Sequence, residues 1–140
     1  MKRKLLAVMA ALTLATSSFA MPVKPANCPT ADAIRAGGLS KDVVEQDING
    51  MWVVALMQSN FDTQNNWSFV VGQITAQDRE DAYAKATASL ASVTFARGPL
   101  PVTRINRWGC SYNNAANYVA FALTPNLAGG RIASISNSLR

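Results

Sequence analysis

The sequence predicts a small two-layer α+β domain, an antiparallel sheet of four to five strands in two hairpins, packed on one long and one short helix and closed by one disulfide. Three observations carry this expectation. Two pairs of β-branched and aromatic runs, Met51–Met57 with Trp67–Ile74 and Arg107–Tyr112 with Asn117–Thr124, are each joined by a polar link, which favours hairpins over parallel crossovers. A stretch of helical periodicity separates the pairs. The two cysteines of the chain, Cys28 and Cys110, lie far apart in sequence.

The elements follow in order. Residues 1–20 carry a basic start (Lys2, Arg3, Lys4), an apolar run from Leu5 to Ala15 and the small residues Ser18 and Ala20, the pattern of a cleaved signal peptide. The run falls short of the roughly 20 apolar residues of a membrane span. The expected product is exported, periplasmic or secreted, with no transmembrane segment in the mature chain. An even cysteine count in an exported chain implies that Cys28 and Cys110 are bonded. Residues 21–27 form an extended, proline-containing leader, and 28–125 a single α+β domain. Pro29 and Thr30 suit the first turn of a short helix that Gly37-Gly38 stops. The charged stretch around Val43, Val44 and Ile48 is either a helical turn or a loop.

Met51–Met57 is apolar on both faces and reads as a central strand. In Trp67–Ile74, the residues Trp67, Phe69 and Val71 alternate onto one face. Thr75 to Asp78 fits a capping box that opens a helix running to about Ser92, with Tyr83, Ala86, Leu90 and Val93 as its buried stripe and Asp81–Lys85 as an i,i+4 pair. Val93–Ala96 is a candidate short strand, and Pro99 and Pro101 make Arg97–Arg104 irregular, because proline forbids a regular central strand. In the last strand Val119, Phe121 and Leu123 are expected to face the core and Tyr118, Ala120 and Ala122 the other side, with Asn117–Thr124 at a sheet edge. Residues 126–140 read as a flexible tail containing a loose turn at Gly129-Gly130-Arg131.

Composition narrows the chemistry. There is no histidine, which excludes a Ser-His-Asp triad, a Cys-His pair and histidine-ligated zinc or haem. Without residues 1–20 the chain has 10 basic and 8 acidic side chains, a net charge of +2, so no general nucleic-acid-binding charge remains. The carboxylates group as Asp42, Glu45 and Asp47 and as Asp78, Glu80 and Asp81, the second group suiting a helix N-terminus. Charge is also asymmetric along the chain. Residues 21–82 hold 4 basic and 8 acidic side chains, whereas 83–140 hold 6 basic and none acidic. Arg97, Arg104 and Arg107 flank one segment beside Trp108, an arrangement suited to a planar anion.

Several segments together resemble one known family: CPTADAIRAGGLS, NGMWVV, WSFVVGQI with TAQDREDAYAKA, and the W-x-C-x-Y of Trp108, Cys110 and Tyr112 followed by NYVAFALTP. It is the small secreted family of unknown function found mainly in Legionella and its relatives, some members of which are labelled hemin-binding proteins. The resemblance implies a role in hemin capture and brings no set of ligand residues. With no histidine, an iron ligand would be a tyrosine or methionine. Tyr112 and Tyr118 flank the second hairpin turn, Tyr83 lies on a buried helix stripe, and Met51 and Met57 are further options, with Arg104 and Arg107 placed to pair with propionates. The expected function is therefore an exported, non-enzymatic binding protein for hemin or another planar, apolar anion, at Tyr112, Tyr118, Arg104, Arg107 and Trp108. The alternative is a factor that binds a host or bacterial protein through the QSNFDTQNN loop or the Arg97–Arg107 segment.

Overall fold

The computed structural model describes residues 20–128 and 132–138. The expected signal peptide, the Gly129–Arg131 turn and Arg140 lie outside the described residues. The chain runs α1 (Ala31–Gly37), β1 (Val44–Gln46), β2 (Trp52–Ser59), β3 (Trp67–Ile74), α2 (Arg79–Ser89), β4 (Thr94–Val102), β5 (Arg107–Asn113), β6 (Val119–Thr124) and α3 (Ile132–Ser138). All six strands form one antiparallel sheet in the order β1-β2-β3-β6-β5-β4. Both expected hairpins form. The step the sequence hid is their union: β6 pairs with β3 from Ser68↔Leu123 to Gly72↔Val119, so β6 sits inside the sheet and not at an edge.

One strand was not expected, and another, begun by the candidate strand Val93–Ala96, runs well past its expected end. The stretch read as a helical turn or loop contains β1, three residues that pair with β2 through Val44↔Val54 and are too short to show a period. The Arg97–Arg104 stretch, expected to be irregular, lies mostly in β4. Its register against β5 shifts between Phe95 and Arg97 and again between Arg97 and Leu100, and Gly98-Pro99 is cis. Proline is excluded from central strands because it cannot donate to a ladder. At an edge it costs nothing on the solvent side, and it leaves few donors for a stray strand to pair with.

One face of the sheet carries α1 and α2. Thr30 caps α1 by accepting from the Ala33 amide at 3.2 Å. Asp62, from the β2–β3 loop, accepts from the Thr30 amide (3.1 Å) and hydroxyl (2.6 Å). These bonds, the Thr30 hydroxyl first, hold the Asp62 carboxyl below its ordinary value. A depressed carboxyl stabilises the fold above its unfolded pKa, and the contribution is lost as pH falls through the lower, folded value. Thermal midpoints of the wild type and Asp62→Asn should therefore differ at neutral pH and converge in acid, below the ordinary aspartate pKa of about 3.9. Next to this cap Cys28 is bonded to Cys110 of β5, with S–S 2.03 Å and Cα–Cα 5.9 Å, as the cysteine count required.

Helix α2 starts three residues later than the Thr75 box implied. Its N-cap is Asp78, which accepts from the Asp81 amide at 2.8 Å, while Asp81 accepts from the Gln77 amide at 3.0 Å. The predicted Asp81–Lys85 pair forms at 3.2 Å. A 3-10 turn, Leu90–Ser92, carries the helix on to its expected end. The buried stripe is Ala82, Ala86, Leu90 and Val93, with Tyr83 half-buried and its hydroxyl donating to the Leu39 carbonyl. Alanine lets this helix lie close on Trp67, Phe69, Val71 and Ile74, all fully buried.

The opposite face is the main departure from the two-layer expectation. Val53, Ala55, Val70, Phe121 and Leu123 form a second core with Leu127, Ile132 and Ala133. The expected flexible tail contains α3, which packs over β1, β2 and β3. Leu127 donates its amide to buried Ser68 Oγ at 2.7 Å, and Ala133 to Glu45 Oε2 at 3.1 Å. The physical reason lies in β2 and β3: strands apolar on both faces need cover on both. Phe121 and Leu123 of β6 are buried as expected, and the opposite face of the strand is buried as well. Phe121 and Leu123 point to the α3 side, and Ala120 and Ala122 to the α2 side, where Trp67, Phe69 and the disulfide already fill the volume.

Candidate binding groove

The five residues expected to bind a ligand fall into different environments. Side chains alternate along β5, so Trp108, Cys110 and Tyr112 share the α1/α2 face while Arg107, Gly109 and Ser111 share the other. Tyr112 is buried. Its hydroxyl donates to the Pro29 carbonyl, and its ring meets the edges of Phe69 and Phe95 at centroid distances of 5.7 and 5.8 Å. Burial, with the charge of Asp62 adding to it, pushes its phenol well above the ordinary tyrosine value. Such a group holds its proton and supports packing; a tyrosinate ligand would need the reverse.

Trp108 is half-buried under the leader. Its indole Nε1 donates to the Pro22 carbonyl at 2.7 Å, and Lys24 Nζ lies 5.8 Å from its ring centroid. The leader is thus held against the sheet, with Pro25 buried. Arg107 gives its guanidinium to three carbonyls, Ile105 (2.7 Å), Pro125 (2.8 Å) and Asn126 (3.4 Å), tying the turn after β4 to the segment after β6. Arg104 is exposed on the 3-10 turn Thr103–Ile105. Tyr118 is half-buried against the α2-side core, and its hydroxyl has no hydrogen bond among the described residues. The five do not converge on one point.

A groove does form on the same strands. Among the described residues, helix α3 packs on β1 to β3, and no helix lies over the β5-β4 end of that face. A cavity of about 330 Å³ lies there, lined by Arg97, Leu100, Val102, Ser111, Val119 and Phe121 and bordered by Tyr118. Its floor is Gly109, which has no side chain to fill it. A Cβ there would stand 2.9 Å from Val102 Cγ2 and 3.4 Å from Leu123 Cδ2. Leu100, 47% exposed, forms part of the rim. Arg97 is exposed and has no ion-pair or hydrogen-bond partner among the described residues.

The charge asymmetry of the sequence becomes spatial here. The acidic half builds α1, β1 to β3 and the first turn of α2, and the basic half builds the rest of α2 and β4 to β6. The ion pairs among the described residues, Asp32–Arg35 and Asp81–Lys85, are local and do not join the two ends of the sheet. The cations of β4 and β5 are therefore not neutralised across the fold, and the open groove lies in a positive field.

Of the groove residues, the sequence reading singled out Arg97 only as part of a basic segment and passed over Leu100, Val102, Gly109 and Ser111. The signal was present. In Arg107-Trp-Gly-Cys-Ser-Tyr112 the period-2 neighbours Gly109 and Ser111 are both small, so the face they share is hollow at those two positions.

The carboxylate groups have structural tasks. Asp78 and Asp81 cap α2, Glu45 holds the start of α3, and Asp47 accepts from the Asn49 (2.8 Å) and Met51 (3.0 Å) amides across a turn. The QSNFDTQNN loop is also tied inward, through Asp62 to Thr30 and through Thr63, whose hydroxyl accepts from Trp67 Nε1 at 2.7 Å. No helix among the described residues is long and apolar enough to cross a membrane.

A family model described as a domain of unknown function, DUF4949, matches residues 27–132. No curated protein and no solved structure matches the chain.

Proposed function

The chain belongs to the DUF4949 family, and since that description assigns no activity, we propose that it is an exported, non-enzymatic binding protein that takes a small apolar anion in the open groove over β4, β5 and β6. The observation that carries this reading is an apolar cavity, floored by Gly109, with Arg97, which has no ion-pair or hydrogen-bond partner among the described residues, on its wall. A concave apolar site with a few polar groups is the usual form of a small-molecule site. Export is supported by the Cys28–Cys110 bond, which suits an oxidising compartment. The absence of turnover is supported by the lack of histidine and by the structural use of both carboxylate groups.

The resemblance to secreted Legionella proteins labelled hemin-binding agrees with an apolar, anionic ligand. Hemin itself fits the residues present poorly. Tyr112 is sealed, Arg107 is committed to carbonyls, and Arg104 is not among the groove residues. Tyr118 remains as the groove-lining phenol whose hydroxyl has no hydrogen bond among the described residues. The alternative, capture of a protein partner through the β2–β3 loop, has less to support it, since Asp62 and Thr63 of that loop are held by the domain itself.

The test is a titration of the planar apolar anion 1-anilinonaphthalene-8-sulfonate into the oxidised protein, beside hemin. Fluorescence should saturate at one probe per chain and weaken roughly tenfold in Leu100→Asp, where a carboxylate meets the anion. A probe signal that never saturates, or that ignores Leu100→Asp, removes the groove as the site. A hemin absorbance shift that saturates at one per chain and is lost in Tyr118→Phe would instead assign hemin as the ligand.

A further inference from the structure

The groove is polar at one end and apolar along the rest of its length. Arg97 and Ser111 are direct partners across β4 and β5, so their side chains share the groove face, and both line the cavity. Neither side chain has a hydrogen-bond partner among the described residues. A guanidinium and a hydroxyl side by side form a carboxylate-binding pair. The next register pairs are Leu100↔Gly109 and then, beyond Pro101↔Trp108, Val102↔Arg107. Leu100 and Val102 are apolar, and Arg107 at the far end spends its guanidinium on the carbonyls of Ile105, Pro125 and Asn126. Phe121, the partner of Ser111 on the other side, adds an apolar wall.

The shape points the same way. Val102 folds over Gly109 closely enough that even a methyl group there would meet it at 2.9 Å. At about 330 Å³ the cavity lies near the lower end of the roughly 300–1,000 Å³ range of small-molecule sites.

Resting on the binding role proposed for this groove, we infer that its ligand is a single-headed alkyl carboxylate, an unbranched acyl anion of medium length. The carboxylate meets Arg97 and Ser111, and the chain lies along β5 toward Val102. Hemin, with two propionates, demands a second cation, and the Arg107 guanidinium is already given to carbonyls.

The experiment uses the oxidised protein with amide NMR spectra and calorimetry, and three probes below their aggregation limits: decanoate, methyl decanoate and hemin. Decanoate should saturate at one per chain and shift the Gly109 and Ser111 amides. Methyl decanoate, which has the chain without the charge, should bind roughly tenfold more weakly or not at all. Arg97→Gln, an exposed position whose change leaves the thermal midpoint alone, should weaken decanoate by a similar factor and bring acid and ester level. Equal binding of acid and ester to the wild type overturns the carboxylate assignment. Shifts of the same two amides by hemin but not by decanoate overturn the alkyl ligand while the groove stands. If no probe moves those amides, the groove itself is not a binding site and both readings fall.

Discussion

Breaking the Cys28–Cys110 bond lowers the stability of this domain by about 4–5 kcal/mol in the chain-entropy model, because the bridge joins residues 82 apart in sequence and the unfolded chain gains the freedom of that whole loop. In a domain of this size that corresponds to a thermal midpoint roughly 15–20 °C lower. The bond also holds a particular junction. Cys28 precedes the Thr30 cap, Cys110 lies in a central strand, and the leader that shields Trp108 enters beside them. Gly98 packs against the same point: a Cβ there would stand 2.7 Å from the Gly109 carbonyl and 3.2 Å from Cys28 Sγ, at a backbone φ of +129 that side chains resist. Thermal unfolding of the oxidised protein with and without reductant, beside a Cys28→Ala/Cys110→Ala double variant, measures the effect. Unchanged midpoints in both would show that α1 and β5 are held by packing alone.

Tyr112→Ala should cost about 3–5 kcal/mol, the range for removing a buried aromatic side chain. Tyr112 fills the space between Phe69 and Phe95. Tyr112→Phe keeps the ring and removes one hydrogen bond. It should cost about 1–3 kcal/mol, because the Pro29 carbonyl loses its donor in a buried setting. Ligand binding to the folded Tyr112→Phe protein should equal that of the wild type. Urea unfolding paired with a binding titration separates the cases. Loss of affinity at unchanged stability would make Tyr112 a ligand residue and contradict the packing described above. The contrast with Tyr118 is instructive. Two tyrosines near one hairpin turn read alike in sequence, yet the hydroxyl of Tyr112 is given to the Pro29 carbonyl while that of Tyr118 has no hydrogen bond among the described residues.

Periodicity and turn chemistry made much of the helix-side core visible. Trp67, Phe69 and Val71 alternate within eight residues, and Ala86, Leu90 and Val93 recur at helical spacing, so each declares its buried face locally. The elements that were missed lack such a signal. β1 has three residues, the part of β4 beyond Ala96 carries two prolines that its edge position permits, and α3 is a seven-residue helix with little apolar pattern. The site was obscured for a related reason. Arg107 and Trp108 are attractive ligand residues in one dimension. In three dimensions their polar atoms are taken by carbonyls 18 and 86 residues away.

From residue types, counts and short-range order alone came the α+β class, both hairpins, the long helix with its Asp81–Lys85 pair, the Cys28–Cys110 bond and the exclusion of histidine chemistry. Each of these depends on neighbours within a few residues or, for the bond, on there being one way to pair two cysteines. Tertiary structure alone decided that β6 joins the hairpins, that the last helix packs on β1 to β3, and that the other end of the same sheet face becomes a groove beside Arg97. Those outcomes rest on contacts between residues tens of positions apart. Such contacts are selected by the area left to bury and by the volume already filled, quantities that exist only once the sheet has closed.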